Sequence, residues 1–83
     1  MPGTVYVALD HDQSRVKIIG TFESEEEAFS ETLDKIIQRL ITVYGPNYEE
    51  HVVFDEIEEQ LKSEEGALVC DHTYSIHLQN IIS

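Results

Sequence analysis

The stretch from Ser24 to Pro46 is punctuated at both ends, and that punctuation constrains the fold more than any other feature of the chain. Ser24-Glu25-Glu26-Glu27 reads as a capping box. In that motif the Ser24 hydroxyl accepts from the Glu27 amide, while the Glu27 carboxylate reaches back to the Ser24 amide. Glu25 and Glu26 suit the positive end of a helix dipole. Phe29, Leu33, Ile36, Ile37, Leu40 and Tyr44 then recur at three- and four-residue steps, which marks one apolar stripe. Gly45-Pro46 ends the run, as a glycine past the last turn followed by proline commonly does. A helix with one apolar stripe must bury it against another element.

The partners for that stripe lie on both sides in sequence. Thr4 to Leu9 alternates, with Val5, Val7 and Leu9 on one face and Tyr6 and Ala8 on the other. Asp10 to Ser14 is a polar turn, and Arg15 to Phe22 alternates again, with Val16, Ile18 and Phe22 opposite Lys17, Ile19 and Thr21. Two such runs around a short polar turn predict a β-hairpin. Beyond Pro46, Asn47 and Glu50 form a second, weaker capping box, and a second helix is expected within 48–63. Val53, Ile57 and Leu61 fall four apart beside Phe54, but Val52-Val53-Phe54 has β character, so a start near Asp55 is the alternative. Gly66 is the expected stop. Ala67 to Cys70 is a short apolar run, and Thr73 to Ile82 alternates, with Tyr74, Ile76 and Leu78 opposite Ser75, His77 and Gln79. Asp71 to Thr73 is either a turn between two strands or a bulge within one long strand. The expectation is a single α+β domain over 1–83, in the order ββααβ(β). It has an antiparallel sheet of three or four strands with two helices on one face.

Charge narrows the class of partner. The chain carries 17 acidic and 5 basic residues, a net charge of −12. Fourteen of those acids but only three of those bases, Lys35, Arg39 and Lys62, fall between Glu23 and Glu65, so the helical half holds about −11. Glu31 with Lys35 and Glu58 with Lys62 are spaced for favourable helical pairs, which leaves most carboxylates without a partner. Direct binding to nucleic acid or to an anionic membrane is disfavoured, and a basic protein surface is favoured. No apolar run approaches the roughly 18 residues of a membrane span. The opening MPGTVYVALDHD lacks the pattern of a secretory signal, and Cys70 is the sole cysteine, so an intracellular, cytoplasmic setting is expected.

Catalytic and metal chemistry find little support. Asp10, Asp12 and Ser14 alternate as in the first part of a calcium loop, but Arg15 stands where that loop needs glycine and Thr21 where it needs a bidentate Glu. His11, His51, His72 and His77 form no ligand spacing, and Cys70 with His72 is only a CxH pair. A folded site uniting Asp10, His11, Asp71 and His72 requires the two turns to meet. Cys70 sits in an apolar run and reads as a small buried hydrophobe. No glycine-rich phosphate loop and no GxSxG is present, so no enzyme, no cofactor and no metal is expected. Tyr6, Tyr44, Tyr48 and Tyr74, with Lys17 and Ile19, are candidates for an exposed apolar surface, and a domain this small often completes itself by homodimerisation.

The segment YVALDHDQSRVKIIGTFESEEEA resembles the opening of small uncharacterised α+β proteins of large DNA viruses or phages. The resemblance covers the first third of the chain and carries over no functional residue. It implies a viral protein acting inside an infected host cell.

The primary functional expectation is a non-enzymatic interaction module whose acidic helices meet a basic partner, as a nucleic-acid-mimicking inhibitor does. Glu25, Glu26, Glu56, Glu58 and Glu59 are the candidate contacts. The alternatives are a small homo-oligomeric structural or assembly protein, and a metal-binding protein using the turn Asp and His residues.

Overall fold

The computed structural model of the chain describes residues 3–63 and 65–81; Glu64 and Ile82, assigned above to the acidic stretch and the last strand, lie outside them. The order of elements is β1 (Gly3–His11), β2 (Val16–Phe22), α1 (Glu25–Tyr44), a 3-10 helix (Gly45–His51), α2 (Phe54–Lys62), β3 (Ala67–Val69) and β4 (His72–Ile81). The four strands form one antiparallel sheet in the order β2-β1-β4-β3. The two central strands are therefore the longest, and the two hairpins flank one another.

Helix α1 begins as its sequence dictates. Ser24 adopts extended backbone and its hydroxyl accepts from the Glu27 amide at 3.2 Å. Gly45, with φ of 78°, ends the helix and donates its N–H to the Ile41 carbonyl. The second capping box does not form. Residues 45–51 wind instead as a 3-10 helix, and α2 starts only at Phe54, behind an extended Val53 that supplies no side-chain cap. The proline just inside the 3-10 segment and the β character of Val52-Val53 both oppose an early start for α2. Tyr44 stacks on His51 at 4.4 Å and Tyr48 meets Phe54 edge-on at 6.1 Å, so aromatic contacts turn the chain back on itself.

Both helices lie on the sheet face that carries Ala8, Tyr74, Ala67 and Val69. Ile36 and Leu40 of α1 and Leu61 of α2 are at most 1 % exposed, and Ile57 joins them against Tyr74. Each of these aliphatic side chains contributes roughly 1.5–3 kcal/mol through burial. Tyr74 is thus core, and not part of the exposed apolar surface expected from the sequence. Ile19 and Tyr48 are half-buried against the same core. The Cα extents of 46 × 27 × 19 Å match two layers, helices over sheet.

A one-residue register shift corrects the reading of β2. Gly20 pairs with Ala8, but Ile18 pairs with Leu9, so Ile19 is an extra residue in the ladder. The shift splits the expected face of Val16, Ile18 and Phe22. Phe22 stays on the helix side opposite Tyr6, whereas Ile18 lies opposite Leu9 and Val16 opposite His11 on the far side. Val16 and Ile18 are 62 % and 66 % exposed.

At the C-terminal end the chain makes two strands. Cys70 and Asp71 have φ of 50° and 66°, the pair of positive values a two-residue type I′ hairpin turn requires. Gly66 approaches β4 so closely that a Cβ there would lie 2.5 Å from the Tyr74 carbonyl oxygen.

Candidate functional site

The acidic residues fall on the helical layer and its connections. Glu25 and Glu26 occupy the first turn of α1, and Glu56 the first turn of α2. The two helices run antiparallel. Lys62, at the end of α2, sits over the Phe29 ring near the start of α1, while Val53 and Glu56 share a hollow with Leu40 and Tyr44 at its other end. Glu25 and Glu26 therefore lie at the opposite end of the layer from Glu56. Glu58 and Glu59 occupy the stretch of α2 between. Glu25, Glu26, Glu56 and Glu59 are exposed; Glu58 is half-buried. The five do not make one compact patch. They span the length of the helical layer, together with exposed Glu27, Glu31, Asp34 and Asp55.

The expected helical ion pairs do not close. Among the described residues the only ion pair within 4.0 Å is His72 with Asp10, so Glu31 and Lys35, and Glu58 and Lys62, stay apart. Lys62 places its ammonium 5.3 Å from the centre of the Phe29 ring instead, an alternative such a long side chain readily takes. Among the described residues, the carboxylates of the layer thus have no Lys or Arg within 4.0 Å.

The two turns at the far end of the sheet do meet. Asp12, Ser14, Arg39, Cys70, Asp71 and His72 border one shallow hollow of about 290 Å³. His72 Nδ1 lies 2.7 Å from Asp10 Oδ1. His11 is on the other side of the sheet from Asp10, because neighbours in a strand point to opposite faces. Asp12 is occupied locally: its Oδ1 accepts from the amides of Ser14 at 2.9 Å and Arg15 at 2.7 Å. Those two backbone donors, Ser14 first, hold its carboxyl below the usual value. The calcium-like run of Asp10, Asp12 and Ser14 is therefore an Asx turn next to an Asp–His pair. Among the described residues, no three His, Cys, Asp or Glu side chains gather as a metal site would need. Arg39 has a buried Nε without a hydrogen-bond partner beside this hollow. Cys70 is half-buried in the strained turn.

A larger groove of about 690 Å³ opens between the first turn of α1 and the start of β1, bordered by Tyr6, Glu25, Phe29, Lys62 and Leu78. It mixes apolar walls with the Glu25 carboxylate, the Lys62 ammonium and His77.

The apolar sheet surface expected around Lys17 and Ile19 lies instead on the other, bare side of the sheet, since Lys17 pairs with Asp10 on the helix side and Ile19 packs on the core. Cross-strand register places Val5, Val7, Leu9 and His11 of β1 beside Val16, Ile18 and Thr21 of β2 and Thr73, Ser75, His77 and Gln79 of β4 on that side, with Ser75 itself buried at 3 % exposure beside Gly66. The signal was the uncharged alternate positions of all three strands; the bulge at Ile19 concealed that they join. No protein-family model, no curated protein and no solved structure matches the chain.

Proposed function

We propose that this chain is a non-enzymatic interaction module that presents its acidic helical layer to a basic protein surface, in the manner of a nucleic-acid-mimicking inhibitor. One observation carries the reading: the exposed carboxylates of the two helices have no Lys or Arg within 4.0 Å among the described residues. Open carboxylates suit a binding surface, because an internal pair would have to be broken on docking.

Charge density supports the same reading. Asp55, Glu56, Glu58 and Glu59 fall within five residues of α2. At about 1.5 Å per residue that is one charge per roughly 2 Å, close to the roughly 1.7 Å per charge of duplex DNA. A groove built for phosphates would be drawn to such a ridge over long range, with association strongly dependent on ionic strength. We place this role in the cytoplasm of an infected host cell, which is what the resemblance of the opening hairpin to small proteins of large DNA viruses or phages implies.

The test is recovery of partners from the native cell by the tagged full chain, followed by affinity measurement against salt. The expected partner is basic, and its affinity falls steeply with added salt. E25K/E26K and E56K/E59K each weaken it at least tenfold, and the combination with E58K abolishes it. A partner whose affinity ignores both salt and these reversals refutes the reading.

A further inference from the structure

We propose that the bare face of the sheet is the contact surface for a second copy of this chain, making a two-fold dimer with the two sheets back to back and the acidic helices outermost. This goes beyond the acidic-layer reading and uses the opposite side of the molecule.

The composition of the face is the first argument. None of Val5, Val7, Leu9, His11, Val16, Ile18, Thr21, Thr73, Ser75, His77 and Gln79 is Asp, Glu, Lys or Arg, in a chain of which 27 % of residues are charged. An antiparallel sheet turned to water normally alternates polar and charged residues outward. Here β1 and β2 turn Val5, Val7, Leu9, Val16 and Ile18 outward. Depletion of charge around an apolar centre is the mark of an interface core. Glu65 stands at the edge of this face beside His77 and Ser75, where a polar rim belongs.

Charge identifies the occupant. Two copies of a chain with a net charge of −12 repel in almost every orientation. Back-to-back sheets are the exception. With layers about 10 Å apart, each acidic helical layer lies about 30 Å from the other, several times the screening length of about 8 Å at physiological salt. A foreign basic partner gains nothing on an uncharged face and is drawn to the helices instead.

Area is sufficient. β1 has nine residues, about 30 Å at roughly 3.4 Å each, and three adjacent strands span about 14 Å. The flat outline is about 400 Å² per copy, and side-chain relief brings two copies to about 1,000 Å², the threshold of a specific, reversible association. Facing sheets pack with strands within about 30° of each other.

Sedimentation equilibrium of the full chain, from about 10 μM to about 1 mM, reads the outcome directly, since that range populates even a weak dimer. The expected result is a concentration-dependent dimer that tightens as salt is raised, because screening relieves repulsion while the apolar contact persists. Binding through the acidic layer changes with salt in the opposite sense. V16K/I18K should be monomeric with an unchanged circular dichroism spectrum, since both side chains are largely exposed. V7T, a milder change at the centre of the face, should weaken the dimer several-fold, whereas E56K/E59K should retain it. A chain that stays monomeric at about 1 mM overturns the proposal, whatever else the face then binds, and so does a folded V16K/I18K that dimerises like the native chain.

Discussion

His72 Nδ1 and Asp10 Oδ1 lie 2.7 Å apart although 62 positions separate them in the chain. The contact sits where β1 leaves the sheet and β4 enters it, and both side chains are largely shielded, at 18 % and 21 % exposure. It fastens the turn of the first hairpin to the turn of the second, the longest closure in sequence that any side-chain hydrogen bond makes among the described residues. Removing one partner leaves the other shielded and unsatisfied. D10A and H72A are each expected to cost about 1–2 kcal/mol, and the double variant less than their sum, because the two lose the same bond. Additive losses in urea unfolding would show that the contact contributes nothing of its own.

Tyr74 sets an alkaline limit. Burial, and then the nearby Asp10 carboxylate, push its phenol up from 10.0 to about 12. The folded state thus holds the proton more tightly than the unfolded state. The stability this contributes is fully present below pH 10 and is lost as pH rises from 10 to about 12. The native chain should therefore lose on the order of 2–3 kcal/mol across that window beyond what its other tyrosines and lysines cause. Y74F should flatten the loss. Identical alkaline unfolding curves for the two would dismiss the assignment.

Gly66 and Gly45 test two different reasons for glycine. Both have positive φ, 82° and 78°. At Gly45 a Cβ would meet nothing within 4 Å, so G45A should cost only the conformational strain, about 1 kcal/mol. At Gly66 the added atom would press on the Tyr74 carbonyl oxygen, so the edge of the sheet must shift as well. G66A should destabilise by at least about twice as much as G45A. Equal losses on thermal unfolding would place the whole cost in the backbone.

The carboxylates that lack cationic neighbours also act on stability. Their mutual repulsion is greatest in the folded state, where the helices hold them close. Raising ionic strength from about 10 mM to about 300 mM, which shortens the screening length from about 30 Å to less than 10 Å, should raise the melting temperature by several degrees. E56Q/E59Q should reproduce part of that gain at low salt. A melting temperature indifferent to salt would mean that the charges are too dispersed to interact.

What the sequence made legible follows from how locally each feature is encoded. The α+β class, the antiparallel sheet, the extent of α1 and its stop at Gly45 were all readable, because a capping serine, a 3.6-residue stripe and a terminal glycine act within one helical turn. The start of α2 was ambiguous because Asn47 and Glu50 offer a capping pattern while Pro46 and the valines oppose it; the chain resolves the conflict with a 3-10 turn and a start at Phe54. The Cys70-Asp71 turn carries no glycine to announce it, which left the last strands open between one and two. The meeting of Asp10 with His72 depends on strand order, which no local pattern encodes. The five glutamates were placed on helices correctly, but only packing reveals that α2 runs back along α1 and so spreads them over the layer.

The extra residue at Ile19 gives β2 a change of phase midway along its length. Upstream of it, odd and even positions exchange roles. Deleting that single isoleucine would leave Ile18 opposite Leu9 and Val16 opposite His11, so the same row would stand on a regular ladder. Pairing Ile19 with Leu9 instead would slip every upstream residue by one, turning Val16 and Ile18 beneath the helices and Lys17 into the row of Val5, Val7 and Leu9. One residue held out of the ladder is thus what separates a greasy back from a charged one.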